Sequence, residues 1–243
     1  MRVNGAEGRD DADAGQNMTV IGEIALRQSL IWGCLALGLV FALIYAAFFC
    51  HRGPGRWKTA VMAVPLAAFA AAGLAGFADP VIIAALVLSA LGDIALSRDG
   101  ERSFLIGLVA FALAHLAYVV AFFGLSTGAP PLLPVLALVA LALSTEVWLT
   151  PHAGALRWPV RVYVGLITVM GVAALGLHGG HALALTGAMA FILSDAILAL
   201  QRFRMAPASV WQRPASVMLW LLYVGGQACI LMGAGFVRPI FHP

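Results

Sequence analysis

The chain has 243 residues, 62% of them hydrophobic and only 10% charged, with a mean hydropathy of +0.97. Soluble domains carry roughly 25% charged residues, so this composition excludes water as the main solvent. The net charge of +3 does not point to nucleic acid, because the basic residues stand singly between apolar runs instead of gathering on one face.

Residues 1–25 are acidic and Gly-rich, with Glu7, Asp10, Asp11 and Asp13. They lack the basic start and early apolar stretch of a cleaved signal peptide, and the composition predicts a disordered tail. Beyond it, apolar runs of about 17 to 22 residues recur, the length that crosses a bilayer. Read between Gly, Pro and charged punctuation, they fall at 29–50, 59–77, 81–97, 103–123, 131–150, 159–177, 182–200 and 214–236. The expected fold is all-α: one polytopic transmembrane domain of about eight helices over residues 26–238. The connections are short, which predicts that successive helices are antiparallel neighbours. Small residues such as Ala70, Ala71, Ala72 and Gly73, and the Gly225-Gly226 pair, let helix backbones approach closely.

Basic residues mark alternate loops: Arg52, Arg56 and Lys58; Arg98 and Arg102; Arg157 and Arg161; Arg202, Arg204 and Arg213. By the positive-inside rule these face the cytoplasm, which places both termini outside a cell inner membrane. Trp57, Trp148, Trp158 and Trp211 fall at the same ends, as interfacial anchors do. Cys34, Cys50 and Cys229 have no paired metal or redox spacing and read as inert core thiols.

Of eleven acidic residues, only Asp93, Glu146 and Asp195 fall inside predicted spans, where a charge costs at least about 2.5 kcal/mol on insertion scales. Asp93 sits in Ser89-Ala-Leu-Gly-Asp93 and Asp195 in Phe191-Ile-Leu-Ser194-Asp195. Each lies a few residues before the arginines that end its span, so the two carboxylates share a depth. On the fourth span Phe104, Gly107, Phe111, His115 and Tyr118 recur at helical spacing, a stripe that faces the bundle. Tyr163, Tyr223 and Gln227 add polar groups in the same half or near mid-bilayer, and together these residues predict a polar cavity opening inward. Ser89 and Ser194 read first as helix-packing hydroxyls. Glu146, beside the interface, reads as a carboxylate snorkelling to water. His178 and His181 sit in an external Gly-rich loop, and with His115 the single histidine inside a span, a three-histidine zinc site is not expected. No metal or cofactor is expected.

The succession Ser-x-x-Gly-Asp-x-x-Leu at 89–96, Phe-x-x-Gly-x-x-x-Phe-x-x-x-His-x-x-Tyr at 104–118 and Gly-Ala-x-x-Phe-x-x-Ser-Asp at 187–195 resembles the YhhN family of membrane proteins, which includes lysoplasmalogenases. The resemblance runs over roughly residues 58–230 and takes in Tyr163 and the Tyr223/Gln227 pair. It implies an eight-helix bundle, a lysophospholipid substrate among membrane lipids, and hydrolysis of a vinyl-ether bond to a fatty aldehyde and a glycerophospho-alcohol. It also implies catalytic roles for Asp93, Asp195 and His115, and substrate binding by Tyr118, Tyr163, Tyr223, Gln227, Ser89 and Ser194. That hydrolysis needs an acid and a base, and two carboxylates in one low-dielectric pocket can divide those roles. A proton-coupled transporter and a noncatalytic lipid-binding protein are the competing readings of the same residues. No motif specifies an oligomeric state.

Overall fold

The computed structural model describes residues 4–236, with side chains from residue 20 onward. Among the described residues are eight α-helices and no strand: α1 Asn4–Phe48, α2 Arg56–Ala75, α3 Pro80–Leu96, α4 Glu101–Leu125, α5 Leu132–Trp148, α6 Arg157–Leu175, α7 Ala182–Phe203 and α8 Gln212–Ile230. A π-helical turn, Leu231–Gly235, continues α8. From residue 29 on, the helices match the predicted spans to within a few residues. The acidic segment differs from expectation: α1 is helical from Asn4.

Seven helices are long and apolar enough to cross a bilayer, while α3 has 17 residues. At 1.5 Å per residue it spans about 25 Å, short of a hydrocarbon core of about 30 Å. Its ends are therefore finished by protein. Asp79 caps the start, its carboxylate accepting from the Val81 amide at 2.7 Å, with Pro80 at the first helical position. The Asp79 amide in turn donates to Gly235 at 2.7 Å, and Ser97 closes the other end by donating to Ile94 at 2.7 Å.

The packing order is α1 on α2, α2 on α3, α3 on α4, α4 on α6, α6 on α7, α7 on α8, and α8 back on α1. Seven helices thus close a ring, and α5 stands outside it against α6. The expectation that successive helices are neighbours fails at α4 and α5. The reason is solvent: in α5 only Thr145 is buried, and lipid solvates such an apolar helix as well as a protein interior does.

The tightest seam joins α7 and α8. A Cβ on Gly187 would lie 2.5 Å from the Gly226 carbonyl oxygen, so both positions need the bare backbone. Gly187→Val should cost on the order of 2 kcal/mol by forcing these helices apart; a lowered thermal midpoint in detergent checks it.

The four loops that carry the basic residues meet at one end of the bundle. Residues 50–53 border 201–216, residues 54–56 border 97–99, and Arg204 Nη1 lies 2.6 Å from His152 Nε2. Trp57, Trp158 and Trp211 are exposed there, while Trp148 is half-buried. Glu146, near the same end, is clasped by Arg161 through Nε to Oε1 at 2.9 Å and Nη2 to Oε2 at 2.6 Å. Its charge is thus paired at the interface.

Candidate active site

Inside the ring, helices α3, α4, α6, α7 and α8 bring the predicted polar residues together in two adjoining layers. The α4 stripe faces inward as the spacing predicts: Phe104, Gly107, Phe111, His115 and Tyr118 are all buried.

The first layer is built on the carboxylates. Tyr223 of α8 donates its hydroxyl to Asp93 Oδ2 of α3 at 2.9 Å. Tyr163 of α6 donates to Asp195 Oδ2 of α7 at 3.2 Å. His115 Nε2 lies 3.3 Å from the same Asp195 oxygen. That contact is within ion-pair range but is not aligned as a hydrogen bond, so Nε2 has no hydrogen-bond partner. The other ring nitrogen settles the chemistry of the pair. Nδ1 is 2.7 Å from the Phe111 carbonyl oxygen, which can only accept, so Nδ1 carries a proton. Nε2 thus turns its free position toward Asp195 Oδ2 at 3.3 Å.

The second layer lies one helical turn away. Gln227, four residues after Tyr223 on α8, donates to Ser89 Oγ at 3.0 Å, and Ser89 lies four residues before Asp93. Tyr118 donates to Gln227 Oε1. The antiparallel helices α3 and α8 are therefore cross-linked twice, once through Asp93 and once through Ser89. Gln227→Leu keeps the volume but orphans the Tyr118 hydroxyl, and should cost about 1–3 kcal/mol. Adding Tyr118→Phe should recover part of that loss, read as thermal midpoints of the single and double variants.

Asp93, Asp195, Tyr223 and Ser194 line one cavity of about 160 Å3. The Ser194 hydroxyl is spent on the Phe191 carbonyl at 2.7 Å. Ser89, Tyr118 and Gln227 do not line this cavity; they brace the helices beneath it. Asp93 is 1% exposed, whereas the Asp195 side chain is 10% exposed and also borders an apolar slot between α4, α5, α6 and α7, with Tyr163 on its wall.

Sequence reasoning missed Tyr45, Gln201, Ser216 and Trp220, which line the same cavity. Tyr45 belongs to α1, the span for which no motif stood out. Its ring lies 4.2 Å from that of Trp220, whose indole donates to the Ala42 carbonyl at 2.9 Å. The signal that could have found it is the tyrosine count: the chain has four, and all four are buried in this region. Cys50 sits at the cavity mouth, where burial pushes its thiol up to about 12, so it stays protonated and unreactive. His178 and His181 serve the backbone, donating from Nδ1 to Gly176 and Gly233 carbonyls at 2.8 Å. Among the described residues, no group of three His, Cys, Asp or Glu side chains is placed to hold a metal ion.

A sequence model of the YhhN family matches residues 55–234. The chain belongs to the YhhN family. Among similar proteins, those from Mycobacterium tuberculosis and Mycobacterium bovis, both named lysoplasmalogenase, are 32% identical over 188 residues, 74% of this chain and 70% of theirs. A Bos taurus protein named lysoplasmalogenase TMEM86A is 36% identical over 135 residues, 50% of this chain and 53% of its own. No solved structure matches the chain. In this YhhN chain the matched segment covers α2 to α8 and every residue of both layers, but excludes α1 and Tyr45.

Proposed function

We propose that this YhhN protein is a lysoplasmalogenase: a membrane hydrolase that cleaves the vinyl-ether bond of a lysoplasmalogen to a fatty aldehyde and a glycerophospho-alcohol. The names of its relatives support the substrate class. The observation that carries the chemistry is the approach of His115 Nε2 to Asp195 at 3.3 Å, with Asp195 and Asp93 lining one cavity.

Vinyl-ether hydrolysis begins when a proton adds to the alkene carbon remote from oxygen. Asp195, backed by His115, supplies it. The π electrons form the new C–H bond and the positive charge settles on the adjacent carbon and the ether oxygen. Asp93, oriented by Tyr223, lines the same cavity and turns its carboxyl oxygens toward that charge. Water adds to the carbon and its proton returns to the Asp195–His115 pair. The hemiacetal then collapses: the carbon–oxygen bond to glycerol breaks, the hydroxyl proton passes to the leaving oxygen, and aldehyde and alcohol depart. The pair ends as it began and so serves as both acid and base.

The competing transporter reading draws on discontinuous helices that unwind at their binding residues. Here α3 and α7 run unbroken through Asp93 and Asp195, and the proline in mid-helix of α2, Pro65, stands apart from both layers. The loop cations gathered at one end support an orientation with that end in the cytoplasm and both termini outside the inner membrane.

The deciding experiment is aldehyde release by the purified protein in detergent from a lysoplasmalogen, set against the saturated ether and the ester analogues. Aldehyde from the vinyl ether alone is the expected result. A folded protein that releases none removes this reading.

A further inference from the structure

Three spaces meet around α7. The central cavity shares Cys50, Gln201 and Ser216 with an open vestibule of about 900 Å3 at the loop end, and shares Asp195 and Leu198 with the apolar slot beside α5. A molecule that reaches Asp195 therefore has one polar and one apolar direction in which to extend.

The vestibule is lined by Arg52, Arg202, Arg204 and Arg213 and by no carboxylate. Its threshold toward the aspartates is Gln201, which donates to Ser216 Oγ at 2.9 Å. Gln201 is six residues past Asp195 on α7, a rise of about 9 Å, which an extended glycerophosphate bridges. The slot has the opposite character. The hydroxyls of Thr145 and Thr168 are spent on their own helices, at 2.6 and 2.8 Å, leaving Asp195 and Tyr163 as the polar groups turned toward it. Its outer wall is α5, the helix outside the ring, so the slot adjoins lipid. Toward the loop end it is closed by Phe104 and Phe203, packed edge to face at 6.1 Å, with the Arg202 guanidinium 4.9 Å over Phe104.

Resting on the hydrolase reading above, we propose that the lysolipid lies across α7 at Asp195, with its hydrocarbon chain seated in the α5–α7 slot and its phosphodiester held by the arginines of the vestibule. The chain enters sideways from the bilayer past α5, and the bond to be cleaved is the junction between the two seats. The alkene carbon then sits at the one carboxyl that borders both the slot and the cavity, with Asp93 on the cavity side. Chain length is sensed by the small residues Ala142 on α5 and Ala199 on α7, which line the slot.

The test measures binding of non-hydrolysable O-alkyl lysophospholipids, independent of turnover. Ala199→Phe, or Ala142→Phe on the outlying α5 should the first not fold, should lower the affinity ratio of hexadecyl over octyl analogues about tenfold, since filling the slot removes burial from the longer chain. Arg52→Gln with Arg213→Gln should lower the affinity ratio of the lysophospholipid over the corresponding alkylglycerol about tenfold, through lost charge-assisted contacts. Unchanged ratios in folded variants, or wild-type protein that binds no analogue, would overturn the proposal. Binding with the expected ratios but no aldehyde from the vinyl ether would leave the two seats standing and remove the hydrolase reading instead.

Discussion

Asp195→Asn should leave a folded, extractable protein whose aldehyde release falls by at least about a thousandfold, the scale of losing a positioned acid. Asparagine fills the same volume and still offers Tyr163 an acceptor, so the α6–α7 packing is kept. What it lacks is a proton to give: its amide hydrogens are not transferable at this acidity, and His115 Nε2 is left facing a group that cannot share one. Asp93→Asn should fall comparably for a different reason. No carboxylate can then form at this position to meet the developing cation, while the acceptor for Tyr223 at 2.9 Å survives. The measurement is a rate per folded protein, with folding checked by gel filtration and helix content. Wild-type rates in both variants would end the carboxylate mechanism.

His115→Phe should lower the rate about a hundredfold, the second large effect. Phenylalanine preserves the ring contacts, since the imidazole packs 4.5 Å from Phe191 and 5.4 Å from Tyr163. It removes the imidazole that faces Asp195 at 3.3 Å while Nδ1 is committed to the Phe111 carbonyl. The loss should appear in kcat more than in KM, because the imidazole is 0% exposed and sits behind the carboxylate. A loss confined to KM would assign His115 to substrate placement instead.

The membrane character, the helix count and the paired aspartates were legible in the sequence because bilayer thickness and the cost of buried charge both write directly into composition. Asp93 and Asp195 stood out as isolated acids in long apolar runs, and the α4 stripe from Phe104 to Tyr118 followed from helical period alone. Pairing was not legible. Nothing in the spacing says that Asp195 meets both His115 and Tyr163 while Asp93 meets Tyr223, since that depends on α6, not α5, lying against α4. The position of α5 was misread because a helix apolar on every side carries no periodic signal for which face is covered. The same lack of signal hid Tyr118 and Gln227 as a brace on Ser89, itself read as a packing hydroxyl: a polar residue in a span looks alike whether it meets substrate or another helix.

One consequence follows from the ring's closure through α1. The YhhN family model matches from residue 55, yet Tyr45 forms part of the cavity wall and Ala42 anchors Trp220 from the preceding helix. The edge of that match is therefore not the edge of the cavity. A chain trimmed to the matched stretch would keep both aspartates and lose the side of their cavity that Tyr45 closes.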